Sequence, residues 1–172
     1  EIYTAGVVLK DMVMQPGNAA LYIHHFNRQG RNMARPGLEF YAIVRPKGAT
    51  PTRVGWNVAA TGGGYTGRAT YNVKDVEGQD VNARTSKKAL DLKRPGAGTE
   101  LTGPQVFRVG GVPPSGAPLL LDARANLAIA GGEVLVDSVC CQPGQKPLEV
   151  KTMALGSTKM KTSDTLGRPA GV

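Results

Sequence analysis

The sequence predicts an all-β domain, an antiparallel sandwich or barrel-like fold with long Gly/Pro-rich loops, at most one short helix and an extended C-terminal arm. Three observations lead there. Gly and Pro make up 35 of 172 residues, above their average share of about 12% and too many for a helical bundle. Apolar and polar residues alternate with the period of two that marks a strand buried on one face. Turn residues punctuate the runs at Gln15-Pro16-Gly17-Asn18, Arg35-Pro36-Gly37, Arg94-Pro95-Gly96 and Val112-Pro113-Pro114-Ser115-Gly116.

In chain order, strands are expected first at Ile2–Leu9 and Ala19–Phe26, the second following a Pro-Gly turn. Leu38–Arg45 comes next, with Phe40 and Ala42 on one face and Tyr41 and Ile43 on the other. At least one of those faces must be core. Arg53–Ala60 follows, and Arg68–Lys74 alternates small or apolar with polar residues. Asp80–Leu92 holds good helix formers (Ala83, Lys87, Lys88, Ala89, Leu90) before a Pro-Gly stop, so it is read as an exposed loop or one or two helical turns. Gln105–Val109 is a further strand. Leu119–Ile129 has helical propensity too, but strand-like segments on both sides favour a strand. Gly132–Val139 places Val134 and Val136 on one face and Leu135, Asp137 and Val139 on the other. Leu148–Lys151 alternates as a short last strand.

At this length one domain is expected over residues 1–155, able to bury about two thirds of its unfolded surface. Residues 156–172 offer only Met160, Leu166 and Val172 as large apolar groups. A segment so poor in apolar surface needs a neighbour to hold it, so it is read as an arm that crosses a subunit boundary. Lys159, Met160, Lys161, Leu166 and Arg168 are its candidate contacts. No apolar run approaches the ~20 residues that span a bilayer. The chain opens on Glu1 without a basic-then-apolar leader pattern, and is read as processed or truncated.

Charge is concentrated in one stretch. The chain carries +8, and between Arg28 and Arg68 seven basic residues (Arg28, Arg31, Arg35, Arg45, Lys47, Arg53, Arg68) face a single acid, Glu39. Six of the seven are arginines, whose guanidinium suits bidentate phosphate contacts and stacking. Phe26, Phe40, Tyr41, Trp56 and Tyr65 are interleaved with them, which suggests a surface that tracks a phosphate backbone and stacks bases. The strand pattern assigns most of these aromatics to a core, leaving Trp56 and Tyr65 as the candidate exposed rings. The loop arginines then suit either phosphates or acidic patches of a neighbouring subunit.

The remaining motifs favour structural readings. Gly62-Gly63-Gly64-Tyr65-Thr66-Gly67 satisfies G-x-G-x-x-G, but a strand pattern follows it where the dinucleotide motif needs a helix. His24 and His25 are neighbours on a strand and point to opposite faces, so one is expected buried and one exposed. Cys140 and Cys141 are expected as two reduced thiols near a strand end, one to each face, because adjacent cysteines bridge only with strain. Asp75-Val76-Glu77-Gly78-Gln79-Asp80 has its glycine fourth, where a calcium loop needs it sixth. No nucleophile signature appears. No catalytic residue, cofactor or metal is expected.

The reading is therefore a non-enzymatic structural subunit that assembles with copies of itself or with another structural subunit, as in a virion capsid or tail or a pilus. Basic loops would lie at subunit or nucleic-acid contacts, and a virion or extracellular assembly would be its location. The alternatives are a nucleic-acid-binding β-barrel and a secreted adhesive or carbohydrate-binding module.

Overall fold

The computed structural model describes residues 5–27, 37–62, 95–96, 98–112, 114 and 119–150. They form eight strands: β1 (Gly6–Met14), β2 (Gly17–Asn27), β3 (Leu38–Pro46), β4 (Arg53–Gly62), β5 (Thr99–Glu100), β6 (Gln105–Val112), β7 (Leu119–Ala130) and β8 (Val134–Cys141), followed by one helical turn, α1 (Pro147–Val150). All pairings are antiparallel. The first sheet runs β1-β8-β3-β6 and the second β2-β7-β4-β5. Strands therefore pair as four nested couples, first with last, second with seventh, third with sixth and fourth with fifth. Every connection but β4 to β5 passes from one sheet to the other. Such a wrap is an eight-stranded jelly roll, a two-sheet sandwich in place of a closed barrel.

The two sheets share one core. Leu38, Phe40, Ala42 and Val44 of β3 alternate inward, as do Val134, Val136 and Cys140 of β8. On β7 every second residue from Leu121 to Ile129 is buried in the same cluster. Its neighbours on both sides are strands, and that period of two resolves the helical propensity of the segment in favour of a strand. A smaller apolar cluster lies on the outer face of the first sheet, where Val150 of α1 and Ala5 cover Ile43, Val139 and Cys141.

The sequence expectations need two corrections. Leu148–Lys151 is expected as a strand, whereas Pro147–Val150 is a helical turn. Proline at the first helical position has a suitable backbone angle and no amide to satisfy. The amides of Glu149 and Val150 both bond the Lys146 carbonyl (3.1 and 3.3 Å). The first strand is expected to stop at Leu9 but continues to Met14 through the polar pair Lys10-Asp11. Its register on β8 slips twice, between Val7 and Leu9 and between Leu9 and Met12, so extra residues bulge out. Asp11 sits at φ 54, the left-handed region that aspartate tolerates better than most residues. β6, the other edge of this sheet, also carries an irregularity, opposite Phe40 and Tyr41. Bulged edges resist pairing with foreign strands. The expected strand at Arg68–Lys74, the loop or helix at Asp80–Leu92 and the arm at 156–172 lie outside the described residues.

The topology gives the sandwich two unlike ends. At one, four connections are short: 15–16, 47–52, 101–104 and 131–133. From the other depart the chain stretches that follow Asn27, Gly62 and Val112; the second of them rejoins the fold at β5, beside Arg53 and Val54 of the short-connection end. β3 alone separates the two ends by about 27 Å, at 3.3–3.4 Å per residue.

Candidate functional site

The short-connection end is built from small residues that bond one another. Thr52, buried to 2% exposure, is its hub. Its hydroxyl donates to the Thr50 carbonyl (2.8 Å) and accepts from the Gly132 amide (3.1 Å). Its own carbonyl accepts from the Leu101 amide (2.8 Å). Thus the 47–52, 101–104 and 131–133 connections are tied together through one threonine. Lys47 adds a second tie, with its amide on the Glu133 carbonyl (3.0 Å) and its ammonium on the Glu133 carboxylate (2.8 Å). Hydrogen bonds from Lys47 and then from Gln15 hold the Glu133 carboxyl below its usual value, and Gln15 brings in the 15–16 connection. Gly131 lies at φ +94, and a Cβ there would run into the Pro51 carbonyl oxygen. The turn requires glycine for both reasons.

The seven basic residues that look equivalent in sequence separate in space. Arg45 is committed to the fold, because its guanidinium bridges the Asp137 carboxylate (2.6 Å) and that of Asp11. Asp137 is 5% exposed at its side chain, and its other oxygen accepts from the Asp11 amide (2.7 Å). One arginine thereby neutralises a buried acid and pins the β1 bulge. Lys47 pairs with Glu133 as described, and the Arg53 Nε donates to the Gly98 carbonyl (3.1 Å). Arg28, Arg31, Arg35 and Arg68 lie outside the described residues, as do Tyr65, Lys159, Met160, Lys161, Leu166 and Arg168.

Trp56 differs from its expectation as an exposed platform. It is half-buried and packs against the main core, with its ring stacked on Phe107 (4.7 Å between centroids, 7° between planes). That stack joins β4 of one sheet to β6 of the other. Inward alternation from Val54 explains it, because residue 56 must share the buried face.

At the opposite end the outer face of the first sheet carries a further ion pair, between the Arg108 Nε and Glu39. The Tyr41 phenol is pushed up mainly by burial and then by the charges of Glu39 and Cys141, with Arg108 opposing. Cys140 and Cys141 are both buried free thiols, Cys140 in the main core and Cys141 in the outer cluster, as the alternation requires. Burial, then the charges of Cys141 and Glu39, push the Cys140 thiol up to about 12. Burial and then Glu39 raise Cys141. Thiols held protonated in this way are poor nucleophiles. His25 is buried, its ring 5.3 Å from that of Phe40. The His24 side chain lies outside the described residues. No cluster of three or more His, Cys, Asp or Glu suited to a metal occurs among the described residues, and no helix there is long and apolar enough to cross a membrane.

Charge divides sharply. The described residues hold seven lysines and arginines against seven aspartates and glutamates, so the net +8 of the chain belongs wholly to the remaining segments. Sequence reasoning missed Asp11, Thr52, Glu133 and Asp137 as partners. A signal for one was present: an acid at Asp137 within the apolar run Val134–Cys141 calls for a cation, since a buried carboxylate is costly alone. Compared with known protein families, curated proteins and solved structures, the chain matches none. What the described arrangement offers chemically is a cross-tied end and paired charges at Arg45, Lys47 and Arg108, with the basic excess carried elsewhere along the chain.

Proposed function

We propose that this chain is a non-enzymatic structural subunit that self-assembles or decorates a larger assembly, of the capsid, tail or pilus kind. The observation that carries the reading is the eight-stranded wrap. Jelly rolls recur in viral capsid and lectin domains, so the support is one of fold analogy, and function has to be argued from surfaces. Trp56, stacked inward on Phe107, counts against the sugar-binding platform. The neutral sandwich favours association through buried surface, while the basic segments suit nucleic acid or acidic protein surfaces.

The test is size-exclusion chromatography with light scattering at low and high salt, recording absorbance at 260 and 280 nm. An assembly subunit runs as an oligomer at both salts. Deleting 156–172 impairs association and leaves a folded monomer. A monomer at every concentration sinks this reading.

A second reading, nucleic-acid binding, draws on the +8 carried outside the sandwich. Removing Arg28, Arg31 and Arg35 together should then lower the slope of log affinity against log salt for single-stranded DNA by about 2. Lys47→Ala should leave that slope unchanged, because Lys47 already pairs with Glu133.

A further inference from the structure

We infer that two copies of this chain join edge to edge along β2, antiparallel, so that the second sheet continues from one copy into the other. The inference rests on the assembly reading above. A two-sheet sandwich has four edges, each a row of backbone N–H and C=O groups that another strand can pair with. Three of them are protected. β1 slips register twice and carries Lys10 and Asp11 where it bulges. β6 is irregular opposite Phe40 and Tyr41 and exposes Arg108. β5 is only two residues long, and one of them is Glu100. β2 has none of these devices. It runs for 11 residues in unbroken register on β7, without a proline, lysine, arginine, aspartate or glutamate. Among the described residues no strand lies on its other side.

The occupant is a second copy, through the same strand. An open edge recognises another extended edge of matching length and regularity, and of the four edges only β2 offers one. Against β1 or β6 of a neighbour its regular backbone would meet a bulge. A two-fold axis at Tyr22, the middle residue of β2, pairs all 11 residues at once. Gly17 then meets Asn27, Ala20 meets His24, and Tyr22 meets its own copy. Leu21 and Ile23, both core residues, fall opposite each other and carry the core face across the seam. Such a contact uses the same patch on both copies and closes at two.

Charge selects the antiparallel direction. Arg28, Arg31 and Arg35 follow directly on Asn27, so parallel pairing would set the two basic stretches side by side. Antiparallel pairing puts the two Asn27 ends about 34 Å apart, at ~3.4 Å per residue, well beyond the ~8 Å screening length of physiological salt. The basic stretch between Gly62 and Pro95 is attached away from the seam. Gly62 ends β4, and the Gly96 carbonyl lies against Gly55 of β4, two strands from β2.

The axis supplies the test. Residue 22 is half-buried on the outer face, since Leu21 and Ile23 point inward. In the full chain, Tyr22→Lys alone and Tyr22→Glu alone each set like charges opposite one another across the seam. With circular dichroism unchanged, the dissociation constant by sedimentation should rise at least about tenfold for each. Mixing the two variants places Lys opposite Glu and should restore association, which a folding defect cannot do. Gly48→Lys, at a glycine whose Cβ would meet nothing within 4 Å, adds the same charge at the short-connection end and should leave association intact. Folded Tyr22 variants that associate like wild type, or that stay apart when mixed, overturn the contact.

Hydrogen exchange on the unaltered chain, compared above and below its association concentration, gives an answer even if the variants fail to fold. On an edge strand every second amide points away from the sheet. Protection gained at alternate amides between Gly17 and Asn27 supports the contact. Protection confined to other segments overturns it and leaves the assembly reading standing. A wild-type chain that never associates removes both.

Discussion

The two ends of this sandwich solve different problems. At one, connections of two to six residues join eight strands, and Thr52 and the Lys47–Glu133 pair bond across them. At the other, the strands release chain stretches of 10, 36 and 6 residues. The described residues of both ends are neutral in sum, and the basic excess is carried elsewhere along the chain. Short, cross-tied connections cost little loop entropy and hold the register of four strand pairs at once. An ion pair there is therefore part of the fold, whereas a basic residue on a long connection can be given over to a partner. The contrast also explains why seven basic residues that look alike in sequence cannot be treated as one surface.

The comparison is most easily broken at the braced end. Gly131→Ala forces an L side chain into a positive φ and onto the Pro51 carbonyl, and should cost about 3 kcal/mol or more by chemical denaturation. Gly48→Ala, in the same end but facing open space, should change stability by less than about 0.5 kcal/mol. Equal effects from the two would mean that the end is not braced as described.

Next in size are the ion pairs of Arg45 and Arg108. Arg45→Ala strands the buried Asp137 and should cost about 2 kcal/mol, less than the roughly 3–5 kcal/mol of a fully buried pair because the guanidinium is partly exposed. Arg108→Ala at the opposite end removes a pair whose arginine is 54% exposed, and should cost less than about 1 kcal/mol. Urea midpoints for the two variants measure the difference directly, and a reversed order would refute the role assigned to Arg45.

A smaller effect should appear with pH. The Glu133 carboxyl is held below its usual 4.5, so its contribution is fully present above that value. It is lost as pH falls below 4.5 through the lowered folded value. Glu133→Gln should flatten that part of the stability–pH curve and change nothing near pH 7 beyond the lost ion pair. An unchanged acid limb would argue against the Lys47–Glu133 tie.

The smallest effect is expected in the middle of the fold. The Ser138 hydroxyl is buried and has no hydrogen-bond partner among the described residues. Ser138→Ala removes an unsatisfied group and should be neutral or slightly stabilising. A loss above about 1 kcal/mol would show that the hydroxyl has a partner after all.

Much of the fold was legible in residues 38–62 and 105–141, where strand starts at Leu38, Arg53, Gln105 and Leu119 agree with the structure. Period-two alternation is a local property, and it survives whatever the strand pairs with. The last turn was misread because Leu148-Glu149-Val150-Lys151 alternates too, and four residues are too few for period to outweigh the start signal of Pro147. The candidate site was less legible. Arg45 and Lys47 lie two residues apart and carry the same charge, yet one meets Asp137 and the other Glu133. Those partners are 86 to 92 residues away in sequence. Trp56 was legible as a β residue but not as a buried one, since the side it shows to Phe107 depends on β6 arriving opposite β4.

By itself the sequence determined that this protein is built of strands, where half of them begin, that Cys140 and Cys141 face opposite ways, and that its charge is strongly positive. These follow from composition and from a backbone that turns each side chain over at every residue. Only the tertiary structure decided that β1 pairs with β8 and β2 with β7, that four short connections gather at one end, and which basic residues are already committed. Those outcomes depend on pairings across more than a hundred residues, such as Gly6 with Cys140 and Gly17 with Ile129. No local pattern encodes them, because a strand's own alternation is the same whichever partner it finds.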